Sequence, residues 1–297
     1  MNSTAGAIRQ SCSSIARSAG EPLYGTAPVA QSWILLEQPG PWGPDALFES
    51  NLDPRFSGEL TKRTTRLGCR VMLIRRRSGR YESSEVTCFL AASGAAGVWM
   101  EKIRLGNPSD LLDCELESVL HPEPPGIGTR ADEAYLVCTH GRRDPCCAEY
   151  GRALLNSLTA IEAPIWESSH QGGHRFAANM ACFPHGLFYG RVGRDDGPAI
   201  IEAHRRGEIY LPHYRGRSAY DSIVQSAEFL VRLETGFATI DGLTVERVSQ
   251  REGRALVTFR TGSATHTVEL ELTTGDPRPE SCNKPKLTKP EIWARVS

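Results

Sequence analysis

The stretch C-T-H-G-R-R-D-P-C-C-A at residues 138–148, followed by S-H-Q-G-G-H-R-F at residues 169–176, decides how the chain is interpreted. Between these motifs lie an amphipathic segment at residues 150–160 and a short apolar segment at residues 163–166. This order predicts a βαβ-like unit whose two loops bring cysteines and histidines together. No other part of the sequence concentrates potential metal ligands so densely.

Five residues of these motifs are candidate metal ligands: Cys138, Cys146, Cys147, His170 and His174. The C-x8-C spacing from Cys138 to Cys147 is not that of a C-x2-C zinc knuckle. Two thiolates and two imidazoles suit either a Zn²⁺ site or a Rieske-like [2Fe–2S] site. The alternative is a set of buried cysteines and hydrogen-bonded loop histidines without metal.

The glycine pair Gly172-Gly173 separates the two histidines. An H-x3-H spacing could lie on one helix face, but paired glycines disfavour a helix. A glycine loop instead lets backbone amides approach a cluster closely and donate to its sulfurs. The spacing therefore favours a loop at this position.

The composition is that of an ordinary globular protein of 297 residues, with 40% hydrophobic and 23% charged residues. The net charge of −1 gives no overall field that would recruit nucleic acid or an anionic membrane. No apolar run approaches the ~18 residues needed to span a bilayer. Nine cysteines without a secretory signal favour reduced thiols or metal ligands, so we expect a cytoplasmic protein.

The segment order before the proline-rich residues 122–126 resembles the order after them. Residues 32–37 and 69–74 are predicted strands on either side of a helix that begins at Asp53-Pro54, and a hairpin and a helix at residues 109–120 follow. Residues 134–206 repeat the order of strand, helix, strand, hairpin and helix. We interpret this as a diverged duplication that keeps ligands only in the second copy. Two unrelated α/β pieces are the alternative.

The rest of the chain is predicted from periodicity. Residues 218–234 have helical spacing, the segments at 243–248, 255–260 and 265–272 alternate as strands of a meander, and residues 277–297 are loop-rich. The predicted division comprises four parts: a flexible arm at 1–23, an N-terminal α/β unit at 24–126, a ligand-bearing unit at 127–215, and a C-terminal helix with a β meander at 216–297.

Both ligand motifs closely resemble the sucrase/ferredoxin-like family. The resemblance extends to W-I-L-L-E-Q-P-G-P-W-G at residues 33–43, F-P-H-G-L-F-Y-G-R at 183–191 and R-G-R-S at 215–218. It covers about residues 25–232. It implies a thioredoxin-like ferredoxin fold for the second unit. With the suspected duplication, we expect a thioredoxin-like unit without metal for the first.

The bis-histidinyl branch of that family implies a [2Fe–2S] cluster bound by Cys138, Cys147, His170 and His174. Many relatives read R-D-x-R-C-G where this chain reads R-D-P-C-C-A at residues 143–148. The ligand position therefore falls on Cys147, and Cys146 occupies the arginine position.

Six neighbouring residues are expected around the cluster: His140, Arg143, Asp144, Gly172, Gly173 and Arg175. Arg143 and Asp144 would fix the first ligand loop, while His140 and Arg175 would adjust the charge at the cluster. The alternative is an ordinary solvated charged turn.

The resulting hypothesis is an electron-transfer protein with an unidentified reductase or acceptor protein as its partner. A Zn²⁺-binding structural or interaction protein using the same ligands is one alternative, and a metal-free thiol oxidoreductase using Cys146 or Cys147 is another. Sucrose hydrolysis is not expected, because it requires two facing carboxylates and the acidic residues are scattered. The sequence leaves open any catalytic activity and the roles of Cys146 and Cys282.

Overall fold

The computed structural model describes residues 10–77, 85–94 and 96–296. Its main element is a ten-stranded mixed sheet with strand order β10-β9-β8-β6-β7-β2-β1-β3-β4-β5. The strands are β1 Ser32–Glu37, β2 Arg70–Arg75, β3 Val86–Gly94, β4 Gly97–Leu105, β5 Thr129–Arg130, β6 Ala134–Cys138, β7 Ile165–Ser168, β8 Met180–Phe183, β9 Leu187–Tyr189 and β10 Tyr214–Arg217. The predicted α/β class is confirmed.

Five α-helices and a second, smaller sheet complete the described fold. The helices are α1 Cys12–Ser18, α2 Pro54–Leu67, α3 Pro145–Ser157, α4 Asp196–Arg205 and α5 Ser222–Thr235. The remaining strands are β11 Thr244–Arg251, β12 Arg254–Thr261, β13 Ala264–Thr274, β14 Arg278–Ser281, β15 Lys284–Thr288 and β16 Glu291–Arg295. The order β11-β12-β13-β16 forms the second sheet, and β14 pairs with β15 as a hairpin. Among the described residues, no helix combines the length and apolarity needed to cross a membrane.

The two halves of the ten-stranded sheet have the same internal arrangement. In the first, β1 and β2 are parallel around α2, while β3 runs antiparallel to β1 and β4 antiparallel to β3. In the second, β6, β7, β8 and β9 repeat this arrangement around α3. The halves meet where β2 pairs antiparallel with β7. The strand, helix, strand and hairpin of the predicted shared order are therefore present in both halves, and β1 and β2 of the first copy lie in one sheet.

The side chains of β1 are all buried and alternate between two hydrophobic cores. Ile34 and Leu36 of β1 pack in the core beneath α2, whereas Trp33 and Leu35 face a core shared with the second half. The Trp33 ring contacts that of Phe183, with ring centroids 5.2 Å apart. Both faces of β1 are covered, which accounts for its uninterrupted apolar sequence. This shared core fixes β6 and hence the position of Cys138.

Residues 109–120 do not form the single helix that their apolar spacing predicted. They form two short 3-10 helices, Pro108–Asp113 and Leu116–Leu120. Cys114 between them is extended, with ψ of 150°. Leu111 and Leu116 still reach the core from the two turns. The apolar pattern was satisfied by burial without a continuous helix.

Both ends of the described chain are more ordered than predicted. Residues 1–23 were predicted as a flexible arm; residues 1–9 lie outside the described part, but Cys12–Ser18 forms α1. Ser11 caps this helix by accepting from the Ser14 backbone N–H at 3.1 Å. The loop-rich prediction for the tail is also wrong, because β14, β15 and β16 lie there. These segments pack on distant parts of the chain: α1 contacts both β14 and the turn His174–Phe176.

Candidate metal centre

Three potential ligands converge at one edge of the sheet. Cys138 ends β6, Cys147 lies in the first turn of α3, and His170 follows β7. Because β6 and β7 are parallel neighbours, their carboxyl ends meet at the same edge. The two sulfurs and a ring nitrogen of His170 lie within 4.8 Å of one another, with Cys147 Sγ 3.9 Å from His170 Nδ1. The βαβ-like placement predicted for these residues is therefore present.

The start of α3 corrects the predicted loop. The helix begins at Pro145, because Asp144 caps it by accepting from the Cys146 backbone N–H at 2.9 Å and Pro145 occupies the first helical position. Cys146 and Cys147 therefore lie in a helical turn and point in different directions. Cys147 faces Cys138 and His170, while Cys146 lies 3.5 Å from Cys12 and 3.4 Å from Cys282, sulfur to sulfur.

A hydrogen bond joins the thiols of Cys138 and Cys147. Donation from the Cys147 thiol holds the pKa of Cys138 well below its ordinary value, and the same hydrogen bond raises the pKa of Cys147. Both side chains are buried. One thiolate is thus stabilised before a metal arrives, and metal binding would displace the remaining proton.

His174 lies beside this group and is not part of it. Its ring centroid is 5.0 Å from that of His170, and its Nε2 is 3.9 Å from Asp144 Oδ2. Both ring nitrogens are buried, and neither makes a hydrogen bond of good geometry among the described residues, although the Glu280 backbone lies near enough to interact with the ring. Burial lowers the pKa of His174, which favours the neutral imidazole that ligates metals. Buried polar atoms normally have partners, and a bound ligand or metal would supply one to this ring.

His140 positions His170. Its Nδ1 accepts from the His170 backbone N–H at 3.2 Å, and its Nε2 donates to the Gly43 carbonyl at 2.7 Å. Burial lowers the pKa of His140, so the ring is neutral at physiological pH. His140 therefore orients the segment that carries His170, and its electrostatic contact with Cys138 leaves the predicted role in charge adjustment as a prediction.

The predicted loop-fixing pair acts through different atoms. Asp144 is fully buried, and its Oδ2 accepts from the Ser281 hydroxyl and the Cys282 backbone N–H, each at 2.9 Å. The Arg143 side chain is exposed, while its backbone N–H donates to the His140 carbonyl at 3.2 Å and its carbonyl accepts from Asn283 at 3.0 Å. The exposed Arg143 side chain therefore fits the alternative prediction of a solvated charged turn, whereas the Asp144 carboxylate stabilises the start of α3.

The glycine pair forms a tight turn over a buried arginine. Gly172 and Gly173 have φ of 91° and 70°, and a Cβ at Gly173 would collide with the Arg215 guanidinium. Arg215 donates to the Gly172 carbonyl at 3.0 Å and to Asn179 at 2.8 Å. Sequence reasoning did not identify Arg215 or Asn179 as site residues. The signal for Arg215 was its place in the R-G-R-S motif.

Arg175 points to the N-terminal segment. Its Nε donates to Glu21 at 2.8 Å, and its guanidinium lies 4.4 Å from the centre of the Phe176 ring. Because Glu21 is itself buried, this ion pair offsets the positive charge beside His174. The contact joins the segment before β1 to the ligand loop.

The chemistry of these donors fits a metal centre of two thiolates and two imidazoles. Such a set is used both by tetrahedral Zn²⁺ and by Rieske-like [2Fe–2S] clusters. Buried thiols, the lowered pKa of Cys138 and the buried ring nitrogens of His174 are consistent with either occupant.

Comparison with known proteins identifies the family. The sucrase/ferredoxin-like family profile matches residues 23–216, which is more than half of the chain. The chain belongs to the sucrase/ferredoxin-like family. The matched region contains all four predicted ligands and excludes α1, α5 and the second sheet.

A curated relative of this sucrase/ferredoxin-like protein is "Altered inheritance of mitochondria protein 32" from Meyerozyma guilliermondii. The two are 28% identical over 157 residues, which is 48% of this chain and 54% of the relative. The alignment thus spans about half the length of either protein. No solved structure matches the chain.

Proposed function

We propose that this protein is a ferredoxin-like electron carrier that binds one [2Fe–2S] cluster through Cys138, Cys147, His170 and His174. The observation that carries the proposal is the convergence of two buried thiols and His170 beside a histidine with two buried ring nitrogens. A cluster held there would accept and release single electrons. Membership of the family supports the same assignment.

The surrounding residues would set the electrostatics of such a site. Two thiolates bring less negative charge than four, which favours a reduction potential above the about −400 mV of plant-type ferredoxins. Arg215 interacts electrostatically with both thiols, and burial lowers its pKa to about 9, so it remains a cation at neutral pH. Its charge raises the potential further. His140 and Asn179 contribute by holding the backbone of the histidine loop.

Several finer assignments belong to the same proposal. We assign a thioredoxin-like fold to residues 127–215 and to a metal-free unit at residues 24–126, followed by the C-terminal region at 216–297. The partner would be a reductase or acceptor protein that exchanges electrons at the ligand edge of the sheet, with no role for nucleic acid or a membrane. The cytoplasmic location stays a prediction.

Anaerobic purification followed by a visible spectrum with iron and sulfide analysis tests the cluster. We expect a brown protein with about two iron atoms and two acid-labile sulfides per chain. A colourless protein that holds zinc through Cys138 and Cys147 would contradict the proposal and support the zinc alternative. Metal-free protein whose redox activity is blocked by thiol alkylation would support the oxidoreductase alternative.

A further inference from the structure

A second group of sulfur ligands lies behind the first. Cys12 begins α1, Cys146 lies in the first turn of α3, and Cys282 follows β14 at the hairpin turn. With Asp144, these residues offer three sulfurs and a carboxylate oxygen within 4.8 Å of one another. Cys12, Cys146 and Asp144 are buried, and Cys282 is partly exposed. Three distant parts of the sequence therefore converge on one point.

We infer that Cys12, Cys146, Cys282 and Asp144 form a structural Zn²⁺ site, separate from the proposed cluster site. Tetrahedral zinc with Zn–S bonds of about 2.3 Å places sulfurs about 3.8 Å apart, and sulfur and carboxylate oxygen about 3.6 Å apart. The Cys146 sulfur is 3.5 Å from that of Cys12 and 3.4 Å from that of Cys282. Both Asp144 oxygens are 3.9 Å from Cys12 Sγ. The remaining ligand atoms all lie within 4.8 Å of one another, so movements of up to about 1 Å would complete the coordination.

Zinc fits this donor set better than a disulfide does. A disulfide needs sulfurs about 2.05 Å apart and would use only two of the three thiols, leaving one thiol beside a buried carboxylate. Soft thiolates select Zn²⁺, Cu⁺ or iron–sulfur clusters, and among these Zn²⁺ also accepts a carboxylate oxygen as a ligand. A single Zn²⁺ ion would use all four groups.

The surroundings support bound negative charge and an entry path. The Cys12 backbone N–H donates to Cys282 Sγ at 3.3 Å, and Cys146 lies at the positive end of the 13-residue helix α3. A cavity of about 480 Å³ opens beside Cys12, Cys282 and Lys284. An ion can reach the ligands through it without unfolding of the sheet.

Zinc at this position would attach both terminal segments to the ligand edge. Cys12 and Cys282 lie outside the family-matched residues 23–216, whereas Cys146 and Asp144 lie inside. Asp144 links the two groups, since its Oδ2 also lies 3.9 Å from His174. The zinc would therefore hold α1 and the β14–β15 hairpin over His174. This inference does not depend on whether the first group holds iron.

Metal analysis of the anaerobically purified full-length protein tests the site, with zinc and iron measured by mass spectrometry. We expect about one zinc per chain, and at least a fivefold loss of zinc in Cys12→Ser and Cys282→Ser while iron is retained. Cys114→Ser is the matched control: its sulfur lies in the first half, 3.8 Å from the Asp110 carbonyl, and zinc should be unchanged. Zinc-edge X-ray absorption should give about three Zn–S distances near 2.3 Å and one Zn–O distance near 2.0–2.2 Å.

Three results would overturn the inference. One is wild-type protein with less than about 0.2 zinc per chain. Another is zinc that is lost in Cys138→Ala and retained in Cys12→Ser, which would place zinc at the first group and also count against the cluster. The third is a Cys12–Cys146 or Cys146–Cys282 disulfide in peptide mapping of anaerobic protein. The absorption measurement uses wild-type protein, so it decides the question even if a substitution unfolds the chain.

Discussion

The two halves of the ten-stranded sheet begin their helices in the same way and then diverge. Asp53-Pro54 starts α2 and Asp144-Pro145 starts α3, each with the aspartate as cap and the proline at the first helical position. Three residues beyond each cap stand Phe56 and Cys147. Phe56 is buried in the apolar core of the first half, whereas Cys147 faces Cys138. The same topology thus supports an apolar contact in one half and a candidate ligand in the other.

The loops before these helices differ in length and in role. Residues 38–52 separate β1 from its cap, while only residues 139–143 separate β6 from its cap. The longer loop reaches the second half: Gly43 accepts from His140, and the Trp42 ring lies 5.9 Å from the His140 ring. The second half therefore supplies the candidate ligands, and the longer loop of the first half covers His140, which positions His170.

Removing a sulfur from the ligand-bearing half should have the largest effect. Cys138→Ala or Cys147→Ala should lose most of the bound iron, because each removes one of only two thiolates in the proposed site. Cys146→Ala is the control and should retain iron, since its sulfur faces Cys12 and Cys282. Iron analysis and the visible spectrum measure both. Loss of iron in Cys146→Ala alone would move the ligand register by one residue.

The equivalent position in the other half should affect stability and not iron. Phe56→Ala should lower the free energy of unfolding by about 3–5 kcal/mol, because it opens a cavity in the core beneath α2. Phe56→Leu should cost less than Phe56→Ala, because leucine fills more of the space that the ring occupies. Urea denaturation gives both values. If folded Phe56→Ala protein lost iron as Cys147→Ala does, the packing of the first half would also be required for iron binding.

The elements predicted best were those whose sequence signal is local. β1 was predicted with its observed ends, because an apolar run between turn residues is sufficient for a buried strand. The early start of α3 was missed although Asp144-Pro145 carries the signal that identified α2. The segment around Asp144-Pro145 was predicted as part of a ligand loop, and the structure shows it as a helix start.

The contacts that sequence could not predict join residues far apart in the chain. Cys12 and Asp144 are 132 residues apart, and Asp144 and Cys282 are 138 apart. No periodicity or turn signal pairs such positions, since their proximity follows from how α1 and the β14–β15 hairpin pack on the finished sheet. A serine-rich N-terminus and a polar tail therefore suggested an arm and loops.

A histidine pair in the second half, in which His204 is buried and His185 is partly exposed, should make stability pH-dependent. His204 Nδ1 lies 3.1 Å from the Tyr135 hydroxyl, and its Nε2 lies 2.9 Å from His185 Nδ1. Glu133 bonds the same hydroxyl, and Arg205 bonds Glu133. Burial lowers the pKa of His204 to about 4. Burial therefore favours the neutral form of the His204 ring in the folded state.

The sign follows from the two pKa values. Below about pH 6.5 the unfolded chain gains a proton at His204, while the folded protein stays neutral there until about pH 4. Acidification across this window should remove about 1–3 kcal/mol of stability. Urea denaturation of wild-type and His204→Gln proteins at several pH values isolates this contribution, because other groups titrate in both. Parallel pH profiles for the two proteins would show that His204 does not titrate as described.

The smallest effect should be equal in both halves. Pro54 and Pro145 are exposed at the first helical position, where a backbone N–H is not needed for helix hydrogen bonding. Pro54→Ala and Pro145→Ala should each lower the free energy of unfolding by about 0.4–1 kcal/mol, because alanine gives the unfolded chain more freedom. Matched urea denaturation curves measure the pair. A cost above about 2 kcal/mol at Pro145 alone would mean that the start of α3 also stabilises the two sulfur groups that contain Cys146 and Cys147. The two helix starts would then be alike in structure but not in their contribution to stability.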